Sequence, residues 1–489
     1  APSSGCPFGY DKPKAKLTTA QKQALRMQRV TNLYEDYVHL HDLSVVWANP
    51  VTDNPQMEPL FSAAMHGIEL SFVLMAEFIK DSRRYVVKRP RVELVAEDVM
   101  VQCDILAQIV DGELEDEACV GADQTRRTLM QDFPFEGAPP TLSANEIGYG
   151  RQSPGLDMLV DAVSRSFPVM SVPERHSIIK VIKNVTGKID TSFATWSVGI
   201  GWEQQLRQLR QSVGLAPIER APKKEHLDYA VLVRPAVVAN TLLRESYSHS
   251  EDFFFRSVHL GTECWAFIAL DRLRSAKRQV QEHGHWQNAA AHVRIAAHIL
   301  EYLGEHVMML TSMVLRDYLH LKVEIEGTSG EGSSAVKSFR PLIESLFVPL
   351  ASALLEGKQG ADDASLRVSL LELYEHPERQ PGLYNYAKSL ERVESSLLGG
   401  FYFRHFCLAS NVIGSTAKGT MKKSVAALKK TYEKVLFPSL DITRAALGSK
   451  LDAELIEFKG RIMDKIERQR NSPSPEPASA PKSSPSTPM

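Results

Sequence analysis

The chain has 489 residues, of which 43% are hydrophobic and 24% charged, and its formal net charge is −2. These values are ordinary for a soluble globular protein. The near-neutral charge argues against an overall field that would draw the chain to nucleic acid or anionic lipid. The five cysteines form no CxxC or CxxCH motif, which argues against a zinc ribbon, covalent c-type haem and a disulfide framework. We therefore expect a cytoplasmic protein.

Neither a secretory leader nor a membrane anchor is expected from the sequence. The first residues, APSSGCPFGYDKPKAKL, contain no apolar stretch of the kind a signal peptide needs. No uninterrupted run of about 18 apolar residues occurs, so no transmembrane helix is predicted. Small-molecule chemistry or contact with another protein remains the expected activity.

Helical periodicity dominates the chain. Residues 60–80 are apolar almost all round, which predicts a buried helix. Residues 292–321, with one break, and residues 451–469 repeat apolar side chains at spacings of three and four, as amphipathic helices do. The run LDYAVLVRP at 227–235 is the one weak candidate for a strand. We predict an all-α fold.

Composition suggests where the domains end. An N-terminal helical domain is predicted over 1–213 and a large helical domain over 236–469. The segment 214–235 between them begins with GLAPIERAPKKEH, whose prolines and clustered charges are typical of a linker. The Pro/Ser-rich tail 470–489 has too few large apolar residues to bury a core and is predicted to be disordered.

Histidines are the most informative candidate site residues. The loop GTSGEGSS at 327–334 lacks the GK[ST] ending of a phosphate-binding loop, and no HExxH motif occurs. His405 is followed by Leu408 and Val412 at i+3 and i+7, so its imidazole is predicted to lie on an apolar helix face that ends at Gly414. Such an imidazole could be an axial haem ligand or a core histidine bonded to a backbone carbonyl. His66 and His320 leave the same choice open.

Five segments, taken in chain order, resemble the indoleamine 2,3-dioxygenase branch of the tryptophan dioxygenase superfamily, which includes monodechloroaminopyrrolnitrin synthase. They are GLAPIE (214–219), EDFFFRSVHLGTECWAFIALDRL (251–273), SMVLRDYL (312–319), EGTSGEGSS (326–334) and FRHFCLASNVIGSTAKGT (403–420). The resemblance implies a two-domain helical haem protein, in which a large haem-binding domain follows a smaller N-terminal domain.

The resemblance also implies roles for individual residues. His405 would be the axial ligand of haem b iron and the metal ligand of the site. A distal group would line the pocket: Phe253, Phe254 and Ser257. Arg316 would hold a substrate carboxylate. The Gly-rich loop would contact substrate and cofactor, through Thr328, Ser329 and Gly330 for the substrate and Gly327, Ser333 and Ser334 for the haem.

Two further residues enter through partial matches. AMHGIELSF (64–72) resembles the distal helix of tryptophan dioxygenase, which makes His66 a second candidate for the catalytic group. After His405 the chain reads GTMKKS where the family has GTGGT or GTGGS, so Lys422 is a candidate to meet a haem propionate or a substrate carboxylate. This departure suggests a divergent member of the superfamily.

The resemblance implies a haem-dependent oxygenase that acts with O2 on an aromatic amino acid or indole-type substrate. Ring cleavage, hydroxylation and rearrangement all stay open. If Ser257 faces the haem, a helix turns His259 away, and the distal side then has no obligatory acid–base residue. The alternatives are a haem-free helical interaction protein and a haem sensor that uses Cys6-Pro7. The long N-terminal region is a candidate for a distal cap or a homodimer interface.

Overall fold

The computed structural model describes residues 19–50, 58–111, 152–194, 196–197, 199–218, 225–226, 229–243, 250–325, 328, 330–356, 362–420 and 424–471. The predicted all-α class is confirmed. Within these ranges the strands are two residues long, β1 (Trp196–Ser197) and β2 (Glu225–His226), and they pair in parallel. The chain divides into two compact units, Ala1–Ala353 with Pro381–Phe437 and Leu354–Gln380 with Pro438–Met489. The predicted linker 214–235 falls inside the first unit.

The first unit contains most of the helices. They are α1 (Thr19–Val38), α2 (Leu40–Ala48), α3 (Glu58–Lys80), α4 (Lys88–Asp111), α5 (Pro154–Ser166), α6 (Val172–Ser192), α7 (Gly199–Ser212), α8 (Tyr229–Val233), α9 (Pro235–Leu243), α10 (Ser250–His283), α11 (Trp286–Met308), α12 (Leu315–Glu324) and α13 (Ser334–Leu355), which ends at the unit boundary. After the second unit's α14 (Asp363–Glu375) come α15 (Pro381–Ser395), a π-helix (Ser396–Tyr402), α16 (Phe403–Ile413) and α17 (Lys429–Tyr432). The second unit ends with α18 (Pro438–Asn471).

Helix α3 is the centre of the first unit, and its predicted burial is confirmed. It packs against α2, α4, α5 and α10, so apolar residues all round the helix find partners. By length and hydropathy alone, α3 and α13 could each cross a membrane; the most apolar stretch of α3 is wholly buried inside the protein, and that of α13 is 28% buried. For α3, this is the composition expected of a core helix.

Two expectations about local structure have different outcomes. The strand suggested over 227–235 is wrong, because the described part of that run forms α8 and the start of α9. The buried residues of α8 are Tyr229, Leu232 and Val233, which follow helical spacing rather than alternation. The break expected within 292–321 is confirmed, since a 3-10 turn at Met309–Ser312 separates α11 from α12.

A buried ion pair links the helices of the core. Nδ1 of His306 on α11 lies 2.7 Å from the carboxylate of Asp98 on α4, and its Nε2 lies 3.0 Å from the carbonyl oxygen of Val258 on α10. Both ring nitrogens therefore donate, as only an imidazolium can. Burial lowers the pKa of His306, but the Asp98 carboxylate outweighs it and the net shift is upward.

The Asp98 carboxylate also accepts hydrogen bonds from two uncharged side chains. Ser71 Oγ lies 2.9 Å and Gln102 Nε2 lies 2.6 Å from Asp98 Oδ2. Gln102 also accepts a hydrogen bond from the indole of Trp265 on α10 at 2.8 Å. A buried charge needs partners for its lone pairs, and here they come from α3, α4 and α11, with α10 joined through Trp265. The cluster fixes how these four helices pack.

This pair predicts a pH dependence of stability. The folded pKa of His306 is raised, so its contribution is complete below the unfolded value of about 6.5 and is lost as pH rises through the folded value. We expect the free energy of unfolding to fall above pH 6.5, by at most about 1.4 kcal/mol per pH unit. Urea unfolding between pH 6 and 9 measures the slope. His306→Gln should remove it, and the exposed His320→Gln should keep it; equal slopes in all three proteins would refute the assignment.

Candidate functional site

The helix that carries His405 begins with an unusual turn. The π-helix Ser396–Tyr402 runs directly into α16, and Gly414 ends α16 with a φ of 91°, as the sequence predicted. The π-helix includes Gly399 and Gly400. A Cβ at Gly304 of α11 would overlap the carbonyl oxygen of Gly400, so α11 and the π-helix approach closely only because residue 304 has no side chain. This contact sets the position of His405 one turn later.

A cavity lies beside α16. It encloses about 100 Å³, which is below the range of about 300–1,000 Å³ usual for small-molecule sites. His405, Leu408 and Val412 line it together, so the predicted apolar face of α16 is confirmed. Its wall also includes Phe255, His259, Leu310, Met313, Tyr318, Gly330, Ala409, Ile413, Gly419, Thr420, Ser424, Val425 and Leu428. No Asp, Glu, Lys or Arg lines the cavity among the described residues.

His259 of α10 shares this cavity with His405. Its Nδ1 lies 2.8 Å from the carbonyl oxygen of Phe255, and that acceptor fixes the hydrogen on Nδ1 and leaves a lone pair on Nε2. A Cβ at Gly330 would stand 3.3 Å from Nε2. Burial lowers the pKa of His259 to about 4, with the Phe255 carbonyl opposing and nearby His405 and His306 adding to the decrease. The ring is therefore neutral at pH 7.

The distal residues implied by the resemblance do not line the cavity. Phe254 packs edge-to-face against Phe78, with ring centroids 4.8 Å apart. The hydroxyl of Ser257 is buried without a hydrogen-bond partner among the described residues. Phe253 is also buried but is not part of the cavity wall. Helix α10 instead turns positions 255 and 259, one turn apart, toward this cavity.

Arg316 also lies away from the cavity. It is exposed near the beginning of α12, and Tyr318, two residues later, lines the cavity instead. A helix places such residues about 200° apart. The orientation is fixed by Asp317, whose carboxylate pairs with Arg83 at 2.7 Å and accepts a hydrogen bond from Tyr85 at 3.0 Å. Arg316 therefore does not line this cavity, in which the resemblance implied that it would hold a substrate carboxylate.

His66 is a core histidine. Its Nδ1 accepts a hydrogen bond from the indole of Trp47 at 3.1 Å, and its Nε2 lies 2.7 Å from the carbonyl oxygen of Val233. Burial lowers its pKa to about 4, against the opposing effect of the Val233 carbonyl. Both nitrogens are occupied and the ring is absent from the cavity wall. A catalytic role for His66 therefore disagrees with its position.

The Gly-rich loop is only partly described. Gly330 lines the cavity, whereas Thr328 is buried and Ser334 is exposed at the beginning of α13. The side chain of Ser333 hydrogen-bonds Glu263 of α10, which also accepts a bond from Tyr34 at 2.9 Å. Burial raises the pKa of Glu263 to about 7, against these hydrogen bonds. Three predicted residues lie outside the described residues: Gly327, Ser329 and Lys422.

Sequence reasoning missed most of the cavity wall, and three of the missed residues carry its aromatic rings and second imidazole. They are Phe255, His259 and Tyr318. Phe255 and His259 are an i, i+4 pair, which puts them on one helix face, and this spacing was visible in the sequence. The sequence FFFRSVH offers aromatic residues on several adjacent faces, so periodicity alone does not tell which face the cavity takes.

The crossing of α11 and the π-helix gives a matched pair of variants. Gly304→Ala forces the backbone at Gly400 to move, and we expect it to lower the free energy of unfolding by about 1–3 kcal/mol. Gly399→Ala has no atom within 4 Å of the new Cβ and should stay within about 1 kcal/mol of wild type. Chemical unfolding measures both. Equal stabilities would show that the close approach does not constrain the π-helix.

Residues 12–129 match the family described as Hs1pro-1 N-terminus. No curated protein matches the chain. The matched segment covers α1 to α4 and ends before every residue of the cavity wall. Its contribution to the site is indirect, through Asp98 of α4 and its bond to His306. The N-terminal part of the chain is therefore similar to the Hs1pro-1 N-terminus family.

Proposed function

We propose that the chain is a haem b-dependent oxygenase, distantly related to indoleamine 2,3-dioxygenase, that acts with O2 on a small aromatic substrate. The observation that carries the proposal is the position of His405 in the wall of an apolar cavity that also contains His259. The order of the five sequence segments supports the same conclusion. The fold class by itself does not, since helical folds host many functions.

The lining residues suit a haem by their chemistry, but the enclosed volume of about 100 Å³ is too small for one, so haem binding would require the cavity walls to move apart. An apolar wall on α16, formed by Leu408, Ala409, Val412 and Ile413, suits a flat macrocycle, and His405 supplies a nitrogen ligand from the same helix. The described residues contain no group of three or more His, Cys, Asp or Glu that could hold a bare metal ion.

When bound, haem iron would supply the binding and activation of dioxygen. The protein would position the substrate and exclude water from the cavity. Phe255, Met313 and Tyr318 form an apolar and aromatic wall that would hold a planar ring and keep water out. The aromatic side chains of this wall favour a flat aromatic substrate. Indoles, phenols and anilines are the proposed substrate class.

His259 lines the cavity, whereas from the sequence we expected a helix to turn it away and leave the distal side with no obligatory acid–base residue. Its Nε2 lone pair can accept a hydrogen bond from a substrate N–H or O–H. With a pKa of about 4, the imidazole is a weak base at neutral pH, so it holds and orients this hydrogen rather than removing it. His259 therefore serves as a positioning residue for the substrate.

Haem uptake by the purified protein tests the proposal directly. Titration with hemin should give a stoichiometric Soret band. His405→Ala should weaken haem binding at least about hundredfold, or about 2.7 kcal/mol. The exposed His320→Ala serves as the control and should bind haem as wild type does. A protein that takes up no haem would support the haem-free interaction protein instead, and loss of binding only in the His320 variant would overturn the assignment of His405.

The role of His259 has its own test, with indole or a substituted indole as the substrate. His259→Ala should keep its haem and lower kcat/KM by about tenfold to hundredfold, or about 1.4–2.7 kcal/mol. Ser257→Ala, on the same helix but turned from the cavity, should lose less than about tenfold. Because the pKa of His259 is near 4, the wild-type rate should not change between pH 6 and 8 through this residue. A Ser257 variant that is the more impaired of the two would contradict the assigned helix face.

A further inference from the structure

The last helix of the chain extends as an exposed, partly apolar surface. Helix α18 begins against α14 of the same unit, where Lys450 pairs with Glu375 at 2.5 Å. Beyond that pair, six large apolar side chains are between 42% and 70% exposed: Leu451, Leu455, Ile456, Phe458, Ile462 and Met463. Contiguous apolar surface of this kind marks an interaction site.

The spacing of these side chains fits a two-helix contact. Leu451, Leu455, Phe458 and Ile462 follow one another at intervals of four, three and four residues, which are the d and a positions of a heptad repeat. Ile456 and Met463 occupy b positions and widen the stripe on one side. The residues that flank the a/d seam at e and g are charged, with acids at Asp452 and Glu454 and bases at Lys459 and Arg461, one heptad later.

The charges at the e and g positions of α18 favour a second copy of the same helix as the partner. We propose that α18 pairs with α18 of a second copy of this chain in antiparallel orientation. In such a pair e positions face e positions and g positions face g positions, so Asp452 lies beside the partner's Lys459 and Glu454 beside the partner's Arg461. Each contact occurs twice by symmetry. The apolar layers then join Leu451 to the partner's Ile462 and Leu455 to the partner's Phe458.

The other arrangements fit less well. In a parallel pair, g faces the following e, so Glu454 would meet Lys459 while Asp452 and Arg461 would face Leu447 and Ile466. A membrane surface would favour a basic excess, but residues 448–471 carry six basic and five acidic residues. The residues proposed for self-association do not line the cavity, so this inference does not depend on the proposed oxygenase activity.

Charge-reversed forms of the full chain test this inference. Asp452→Lys with Glu454→Lys makes all four flanking positions basic, and Lys459→Glu with Arg461→Glu makes all four acidic. Light scattering over a concentration series should show a wild-type dimer and at least a tenfold weaker dissociation constant for each variant. An equimolar mixture of the two variants should regain the dimer. As a control, Glu457→Lys with Asp464→Lys makes the same change of charge at outward c positions and should dimerise as wild type.

The orientation has a separate readout. Spin labels at position 457, near the centre of the antiparallel pair, should lie close together across the dimer. Labels at position 449 should be separated by about 22 Å along the helix axis, whereas a parallel pair would hold both sets of labels at similar short distances. A monomeric wild-type chain at every concentration, or variants that dimerise unchanged without mixing, would overturn the inference. A monomeric chain would indicate that another segment of the same chain covers the stripe. Unchanged dimers of the variants would indicate that the chain associates through a different surface.

Discussion

The ion pair between His306 and Asp98 holds together the helices on which the cavity depends. It places a charged imidazole at the point where α10 passes α11, and Nε2 of that ring bonds to the carbonyl oxygen of Val258, next to His259. Gly261 makes this approach feasible, since a Cβ there would stand 2.9 Å from Nε2 of His306. A buried charge tolerates few alternative positions because each unpaired donor or acceptor is costly. The rotation of α10 follows from this constraint.

Once the rotation of α10 is set, the chemistry of the cavity is set too. The helix directs Phe255 and His259 inward and leaves Ser257 in the packed core with an unpartnered hydroxyl. On the other side, the crossing of Gly304 and Gly400 places the π-helix that leads into α16. Two histidines with different roles then share one apolar space. His405 supplies the nitrogen proposed to hold a cofactor, and His259 carries a lone pair whose tautomer is fixed by its own helix.

The two compact units serve different purposes in these proposals. The first contains the polar core, the cavity and all candidate site residues in the described part of the chain. The second contains α14 and α18 and presents an apolar stripe flanked by ordered charges. An oxygenase needs an enclosed, dry site, whereas association needs an accessible surface. Small-molecule chemistry and self-association can therefore be tested separately on the same protein.

The sequence by itself determined the helical class, the buried α3, the break after α11 and the apolar face of α16 that includes His405. These features are periodic, and periodicity depends on residues close together in the chain. Only the tertiary structure decided that His259 rather than Ser257 faces the cavity, that Arg316 points outward, and that His66 belongs to the core. Each of these depends on a partner far away in sequence, namely His306 for α10, Arg83 for α12, and Trp47 with Val233 for His66. A helical repeat specifies which residues share a face, but the neighbouring elements choose the direction in which that face points.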